Sequence, residues 1–177
     1  MTFSPLDFSE PLDAQFVKTM SLITYLVEDS KTIRDNLIST LEELATVQVV
    51  GYAETEEEAA DWLSSHHGDW KLAIVDLFLK EGSGLGVLKG CQNRLADQKV
   101  VVLTNYATAD IRQRCAALGS DAVFDKSNEL EELIDYCRAA TEHQVCMDAC
   151  KAASNLMNAP PGGQQVLHLG SVKPVVH

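Results

Sequence analysis

Residues 99–104 read KVVVLT, with four consecutive apolar residues between a lysine and a threonine. A strand that alternated between apolar and polar residues would have one face in water. An uninterrupted apolar run is typical of a strand covered by helices on both faces of a parallel sheet. Comparable runs occupy residues 21–27 (SLITYLV), 71–75 (KLAIV) and 121–124 (DAVF). The sequence therefore predicts a buried parallel sheet.

Helix-like segments alternate with these runs along the chain. Strands are predicted at 21–27, 47–53, 71–76, 99–104 and 121–125, and helices at about 31–44, 55–66, from the glycine-rich loop 82–86 to 95, 107–118 and 128–142. In the first helix, the residues expected on the inner face are Ile33, Leu37, Leu41 and Leu44. Right-handed crossovers leave few topologies for five such units. We predict a doubly wound, flavodoxin-like α/β fold with the parallel strand order 2-1-3-4-5.

Polar side chains stand where four of the apolar runs end. They are Glu28 with Asp29, then Asp76, Thr104 and Lys126. In the predicted topology these positions meet at the carboxyl edge of the sheet, where open α/β sheets bind ligands. Three adjacent carboxylates repel one another and favour a hard divalent cation, whereas a hydroxyl and an ammonium are suited to hold a phosphoryl group. The pattern predicts an aspartyl-phosphorylation site.

Composition and charge narrow the classes of partner. Apolar residues make up 46% of the 177 residues, and the net charge of −12 disfavours binding to nucleic acid or to an anionic membrane surface. No segment resembles a signal peptide, and no apolar run approaches the roughly 20 residues that span a bilayer. The five cysteines form no CxxC pair, so we expect reduced thiols and a cytoplasmic protein.

The chain is predicted to contain one domain with two extensions. Residues 1–20 form an N-terminal extension, 21–142 form the domain, and 143–177 form a C-terminal extension. The last of these continues a helical pattern to about residue 157, either as a longer final helix or as a short extra one. The sequence PPGG at 160–163 ends that pattern, and an irregular segment follows.

Four motifs carry a family resemblance: YLVEDS, AIVDL followed by GSGLGVL, VVLTNYA, and LGSDAVFDKS. In their order and spacing they resemble the receiver domain of bacterial two-component response regulators, in particular stand-alone receivers of the chemotaxis type. The resemblance covers residues 21–142. It implies a phosphoprotein that acts in a phosphorelay.

The resemblance also implies roles for individual residues. Asp76 is expected to be the phosphoacceptor, and Mg²⁺ the cofactor. Asp29 is expected to bind the metal directly, Glu28 either directly or through water, and the backbone carbonyl of Phe78 is expected to supply a further oxygen. Mg²⁺ prefers one or two carboxylates together with phosphate oxygens and water, which suits this set.

Thr104 and Lys126 are expected to bind and sense the phosphoryl group. The sequence departs from the family pattern nearby: the position of the usual switch aromatic is Val123, and Phe124 follows it. Phe124 is thus the candidate switch aromatic. Either it packs in the core and the coupling is altered, or the strand register differs. Ser127 replaces the usual proline.

The leading functional hypothesis is a single-domain response regulator. A sensor histidine kinase or a phosphotransfer protein would donate the phosphoryl group, and phosphorylation would control binding to a downstream protein or to a second copy of the chain. Its only reactions would be self-phosphorylation from small donors and self-dephosphorylation. One alternative, a haloacid-dehalogenase-type phosphatase, requires an aspartate where Phe78 stands. Another is the receiver of a DNA-binding regulator that lacks its output domain.

Two further patterns have simpler explanations. The GSGLG loop at 82–86 lacks the lysine of a P-loop, so we do not expect a nucleotide site there. His143, Cys146 and Cys150 are spaced to share one helical face, but a fourth metal ligand is missing.

Overall fold

A computed structural model describes residues 21–157 of the chain. The predictions for residues 1–20 and 158–177 lie outside this described part.

The described residues form five strands and five α-helices. In chain order they are β1 (Leu22–Val27), α1 (Lys31–Leu44), β2 (Val47–Ala53), α2 (Glu56–Ser65), β3 (Leu72–Val75), α3 (Gly84–Gly90), a 3₁₀ turn (Cys91–Asn93), β4 (Lys99–Thr104), α4 (Ala109–Ala117), β5 (Ala122–Asp125) and α5 (Leu130–Met157). All strand pairs are parallel, in the order β2-β1-β3-β4-β5. The predicted doubly wound fold and strand order are confirmed.

Two apolar layers enclose the sheet, as the uninterrupted apolar runs predicted. All four residues of β3 are fully buried. On one face the layer is completed by α2, α3 and α4, with Leu63, Leu88 and Cys115 among its members. On the other face, α1 and α5 contribute residues such as Leu41. Burial of this kind, at roughly 25 cal/mol per Å² of apolar surface, is the main favourable term in folding.

The edge strand β2 departs from the all-buried pattern. Val50 and Tyr52 are exposed on it, and Leu44 at the end of α1 is also exposed, so the prediction that Leu44 faces inward was wrong. The buried positions of α1 are Arg34, Leu37 and Leu41. Their spacing of three and four residues matches the helical repeat. Leu44 continues that spacing, but as the last residue of α1 it lies at the end of the buried face and is 46% exposed.

Two helix boundaries also differ from the prediction. The helix predicted to reach residue 95 is α-helical only to Gly90, because the glycines of GLGVLKG are poor helix formers and the chain tightens into a 3₁₀ turn. Helix α4 begins at Ala109, since the Thr108 hydroxyl caps it by accepting a hydrogen bond from the Ile111 amide at 3.3 Å.

The last helix is continuous for 28 residues, which decides between the two predicted forms of segment 143–157. Its inner half is attached to the end of α1 and the loop before β2: Arg138 donates to the Leu44 carbonyl at 2.8 Å, and the Thr141 hydroxyl lies 3.5 Å from the Ala45 carbonyl. Residues 148–154 are all exposed. Burial thus ends close to the predicted domain boundary at 142, although the helix itself does not.

The cysteines provide a test of this packing. Cys91, Cys115 and Cys137 are buried, and burial raises the pKa of Cys91 to about 11 and that of Cys137 to about 12. Cys146 and Cys150 are exposed. Because the thiolate is the reactive form, we expect iodoacetamide at pH 8 to modify two thiols in the native protein and five after denaturation. Rapid native modification of Cys137, measured by peptide mass spectrometry, would contradict the packing described here.

Candidate functional site

The polar residues predicted at the carboxyl edge of the sheet lie together in the structure. Val27 of β1 pairs with Val75 of β3, so the residues that follow them are neighbours. Carboxylate oxygens of Glu28, Asp29 and Asp76 all lie within 4.8 Å of one another. Three carboxylates at this separation supply the hard oxygen ligands that Mg²⁺ requires, so the residues present fit that ion.

Lys126 connects two of these carboxylates. Its Nζ lies 2.6 Å from Oε2 of Glu28 and 2.7 Å from Oδ2 of Asp76. The side chains are almost fully buried, with at most 9% exposed. An ammonium in this position offsets carboxylate repulsion that burial would otherwise make costly. Glu28, Asp76 and Lys126 therefore form one charged group, contributed by three different strand ends.

Burial and charge act in opposite directions on the pKa values here. Burial raises the pKa of Glu28, and neighbouring Asp76 adds to the effect, while the hydrogen bond from Lys126 opposes it. For Lys126, burial favours the neutral amine, but hydrogen bonds to Asp76 and Glu28 outweigh burial and raise its pKa. Lys126 therefore remains an ammonium at neutral pH.

The turn after β1 is held at several points. The Ser30 amide donates to Oε1 of Glu28 at 3.2 Å, and Arg34 donates from Nη1 to the backbone carbonyl of Glu28 at 3.1 Å. Sequence reasoning missed Arg34. Its spacing of three and seven residues from the buried Leu37 and Leu41 was the available clue that it lies on the inner face of α1.

The loop after β3 brings backbone close to Asp76. The Phe78 amide donates to Oδ1 of Asp76 at 3.3 Å. A Cβ atom added at Gly84 would lie 2.1 Å from the Asp76 carbonyl oxygen, so only glycine allows α3 to begin here. Gly84 of the GSGLG loop is thus required for the close approach of α3 to the backbone of Asp76. The Phe78 carbonyl as a metal ligand remains a prediction.

Thr104 is fully buried at the end of β4. Its hydroxyl accepts a hydrogen bond from the Tyr106 amide at 3.4 Å, and its carbonyl accepts one from the Lys126 amide at 3.0 Å. The pairing of β4 with β5 thereby fixes Thr104 and Lys126 relative to each other. Phe78 and Tyr106 flank the site as an exposed edge-to-face pair with ring centroids 5.1 Å apart.

The strand β5 has a regular register, with Leu103 opposite Phe124. Phe124 packs edge-to-face against Tyr136, at 5.7 Å, in the layer beneath α1 and α5. Val123 points into the opposite layer, beneath α2, α3 and α4. Of the two alternatives for Phe124, the structure therefore supports packing in the core. A switch role for Phe124 stays a prediction.

A second charged contact links α4, β5 and α5, and sequence reasoning missed it. Arg112 pairs with Oε2 of Glu129 at 2.6 Å, and the same oxygen accepts a hydrogen bond from the Asp125 amide at 2.7 Å. Arg112 also donates to the carbonyl of Val123. Position and spacing alone gave no indication of this pairing, because the partners are 17 residues apart.

The other candidate ligand sets are not assembled. His143, Cys146 and Cys150 are all exposed on the outer half of α5. Within residues 21–157, the Glu28, Asp29 and Asp76 cluster is the only group of His, Cys, Asp or Glu side chains placed to share a metal ion. No helix in the same range combines the length and apolar composition needed to cross a membrane.

Comparison with known proteins gives consistent matches. The family model described as the response regulator receiver domain matches residues 24–138. The transcriptional regulatory protein LiaR of Bacillus subtilis is 23% identical over 142 residues, which cover 80% of this chain and 66% of LiaR. The response regulator UvrY of Escherichia coli K12 is 23% identical over 119 residues, which cover 67% of this chain and 54% of UvrY. The chain thus spans about half to two thirds of the length of these relatives.

Solved structures show the same fold. The response regulator domain of Thermotoga maritima CheB aligns with a TM-score of 0.60 at 19% identity, over 69% of this chain and 97% of that one. A DNA-binding response regulator of the LuxR family from Staphylococcus aureus aligns with a TM-score of 0.60 at 16% identity, over 68% of this chain and 98% of that one.

Proposed function

The chain belongs to the response regulator receiver family of two-component systems, and from this premise we propose that Asp76 accepts a phosphoryl group beside Mg²⁺ held by Glu28 and Asp29. The observation that carries the proposal is the charged group at the sheet edge. Lys126 lies within 2.7 Å of Asp76 and 2.6 Å of Glu28, and Asp29 completes a set of three carboxylates.

In the proposed reaction a carboxylate oxygen of Asp76 forms a bond to phosphorus. The bond between phosphorus and its donor breaks, and the donor atom, such as the imidazole nitrogen of a phosphohistidine, keeps the electron pair. Bound Mg²⁺ supplies neutralisation of the charge that gathers on the phosphoryl oxygens. Lys126 holds Asp76 in place beforehand and is within reach of the new phosphoryl group afterwards, as a point charge.

Thr104 is proposed to report the change. Its hydroxyl lies at the end of the strand next to β3, and its only hydrogen bond among the described residues is the long one from the Tyr106 amide. A phosphoryl oxygen on Asp76 would offer this hydroxyl a charged acceptor to which it could donate its own hydrogen. Movement of Thr104 would act on the loop that leads into α4 and on the surface where Arg112 pairs with Glu129.

We propose a sensor histidine kinase or a phosphotransfer protein as the donor. The downstream partner is proposed to be a protein, or a second copy of this chain, that distinguishes the phosphorylated surface. Self-phosphorylation from small donors and self-dephosphorylation are the only reactions proposed. The family match gives no support to the haloacid-dehalogenase hypothesis, and Phe78 occupies the position where that mechanism needs an aspartate.

The names of the relatives favour a second candidate function. LiaR is a transcriptional regulatory protein, and the similar Staphylococcus aureus structure is that of a DNA-binding response regulator. In this alternative the receiver controls DNA binding by a separate domain. The net charge of −12 disfavours direct contact between this chain and DNA. Phosphorylation-dependent DNA binding that requires a domain other than this receiver would favour this candidate over protein binding.

Beryllofluoride, which mimics a phosphoryl group on a carboxylate, tests the proposed site. With Mg²⁺ at saturating concentration, we expect it to raise the melting temperature by about 5 °C or more, because a ligand selective for the native state stabilises it. Differential scanning fluorimetry gives the measurement. The shift should vanish when Mg²⁺ is omitted and in Asp29→Asn. A wild-type protein with no Mg²⁺-dependent shift would refute the proposed site.

A further inference from the structure

Arg34 is a buried arginine beside the acidic turn. It is only 4% exposed and lies on the inner face of α1 with Leu37 and Leu41. Nη1 donates to the backbone carbonyl of Glu28 at 3.1 Å and also to Oε1 of Glu54 at 3.1 Å. The guanidinium carbon lies 4.0 Å from the ring centroid of Tyr52. One side chain thus joins the end of β1 to the segment that leads from β2 to α2.

These contacts constrain the backbone that carries the metal-binding carboxylates. The carbonyl of Glu28 is held by Arg34, and the side chain of Glu28 is held by the Ser30 amide and by Lys126. Asp29 lies between the Glu28 carbonyl and the Ser30 amide, both of which are held by hydrogen bonds. Its position is therefore set by bonds that its own side chain does not make. Fixing ligands before an ion arrives lowers the ordering cost of binding.

Folding stability alone does not account for an arginine here. Its Nε is buried and has no hydrogen-bond partner among the described residues, which is unfavourable for a charged group. The neighbouring inward positions of α1 are Leu37 and Leu41, so an apolar side chain would suit the same face. The ion pair with the partly exposed Glu54 is weak evidence for a gain in stability. The hydrogen bond to the Glu28 carbonyl is the contact that an apolar residue could not provide.

We propose that Arg34 is a positioning residue for the metal site, and that Tyr52 and Glu54 hold it in place from the protein surface. The inference rests on the proposed function, because it takes Glu28 and Asp29 to be the Mg²⁺ ligands. It adds a route by which contact at the exposed Tyr52 and the half-exposed Glu54 changes the metal site. Groups that orient metal ligands commonly affect metal affinity by 10- to 100-fold.

The direction in which Mg²⁺ affinity changes on removal of Arg34 distinguishes a positioning role from a simple effect of its charge. A guanidinium near the site repels a divalent cation, so its removal strengthens Mg²⁺ binding if charge is its only influence. If Arg34 positions the ligands, its removal weakens binding despite the lost repulsion. Arg34→Lys keeps the charge but not the fork of donors, so it weakens binding only under the positioning proposal.

Isothermal titration of Mg²⁺ alone into the full chain gives the measurement. We expect Arg34→Met to weaken Mg²⁺ binding about tenfold or more, and Arg34→Lys and Glu54→Gln to weaken it by smaller factors. The double variant of Arg34→Met with Glu54→Gln should be no weaker than Arg34→Met, because both act through the same contact. Arg34→Lys carries the test if Arg34→Met does not fold, because loss of the Glu54 carboxylate would weaken Mg²⁺ binding through charge alone as well.

Arg94 offers a matched control at the opposite edge of the sheet. It donates to three backbone carbonyls and pairs with Asp121 at 2.8 Å, so its removal also disrupts a network. Arg94→Met should leave Mg²⁺ affinity within about twofold of wild type. Unchanged or tighter Mg²⁺ binding in Arg34→Met and Arg34→Lys overturns the inference. Failure of the wild-type protein to bind Mg²⁺ overturns the proposed function instead.

Discussion

Asp76→Asn is expected to lose phosphoryl uptake from acetyl phosphate by about 10³-fold or more, the scale of loss when a nucleophile is removed. An amide oxygen is a much weaker nucleophile than a carboxylate. The neighbouring carboxylates of Glu28 and Asp29 are assigned to the metal ion and do not replace Asp76. The fold should be retained, because the volume is conserved and Lys126 keeps its 2.6 Å contact with Glu28. Intact-mass spectrometry after incubation with acetyl phosphate and Mg²⁺ measures the uptake.

Asp97→Asn is the matched control for this substitution. Asp97 pairs with Lys71 at 2.7 Å near the amino ends of the strands, far from the carboxyl edge. The Asp97→Asn protein should take up a phosphoryl group at the wild-type rate. The assignment of Asp76 fails if Asp76→Asn takes up a phosphoryl group at a rate similar to that of Asp97→Asn.

The second large effect is expected for Lys126→Met measured without Mg²⁺. Removal of the ammonium leaves Glu28 and Asp76 buried together without a counter-charge. Breaking a buried ion pair by removing one partner costs about 3–5 kcal/mol, and we expect a loss toward the lower end because Glu28 can take up a proton. Urea unfolding at pH 7.5 in the presence of a chelator measures the free energy of unfolding.

The deficit of Lys126→Met should shrink as pH falls. Burial and Asp76 already raise the pKa of Glu28 in the folded protein, and loss of the Lys126 hydrogen bond raises it further. A carboxyl with a raised pKa binds more protons in the folded state than in the unfolded state. Stability therefore rises as pH decreases through the folded-state pKa.

Mg²⁺ should also restore most of the stability that Lys126→Met loses, since the cation replaces the missing positive charge. Binding of Mg²⁺ should be tighter than in wild type, because Lys126 no longer competes for the two carboxylates. Lys71→Met is the control, because Lys71 forms a partly exposed ion pair with Asp97. It should cost less than about 1 kcal/mol and show no Mg²⁺ rescue. A Lys126→Met protein as stable as Lys71→Met in chelator would show that the charged group has been misinterpreted.

The sequence predicted those features that depend on local pattern. Runs such as KVVVLT specify a strand covered on both faces, and in a parallel sheet the end of every such run falls at one edge. The positions of Asp76, Thr104 and Lys126 at the ends of such runs therefore predict that the three side chains lie at one edge of the sheet. Right-handed crossovers left few topologies, and the flavodoxin-like order chosen among them placed the acidic residues after β1 beside Asp76, as the pairing of β1 with β3 shows.

The sequence did not predict contacts that depend on partners distant in the chain. Arg34 pairs with Glu54 across 20 residues, and nothing in the helical pattern of α1 identifies that partner. Glu129 in the same way accepts from both Arg112 and the Asp125 amide. The exposure of Leu44 and the early end of α3 also depend on tertiary packing, which overrides local propensity at the ends of elements.

The single unbroken helix at the end of the described chain has a mechanical consequence. From Thr141, the last buried residue in the range 21–154, to Met157 there are 16 further residues. At 1.5 Å per residue this is a rod of about 24 Å. Any small rotation of α5 about its attachment at Thr141 would be magnified at the far end, by an amount proportional to this length. A rearrangement of the sheet edge that rotates α5 would therefore produce its largest displacement at Met157.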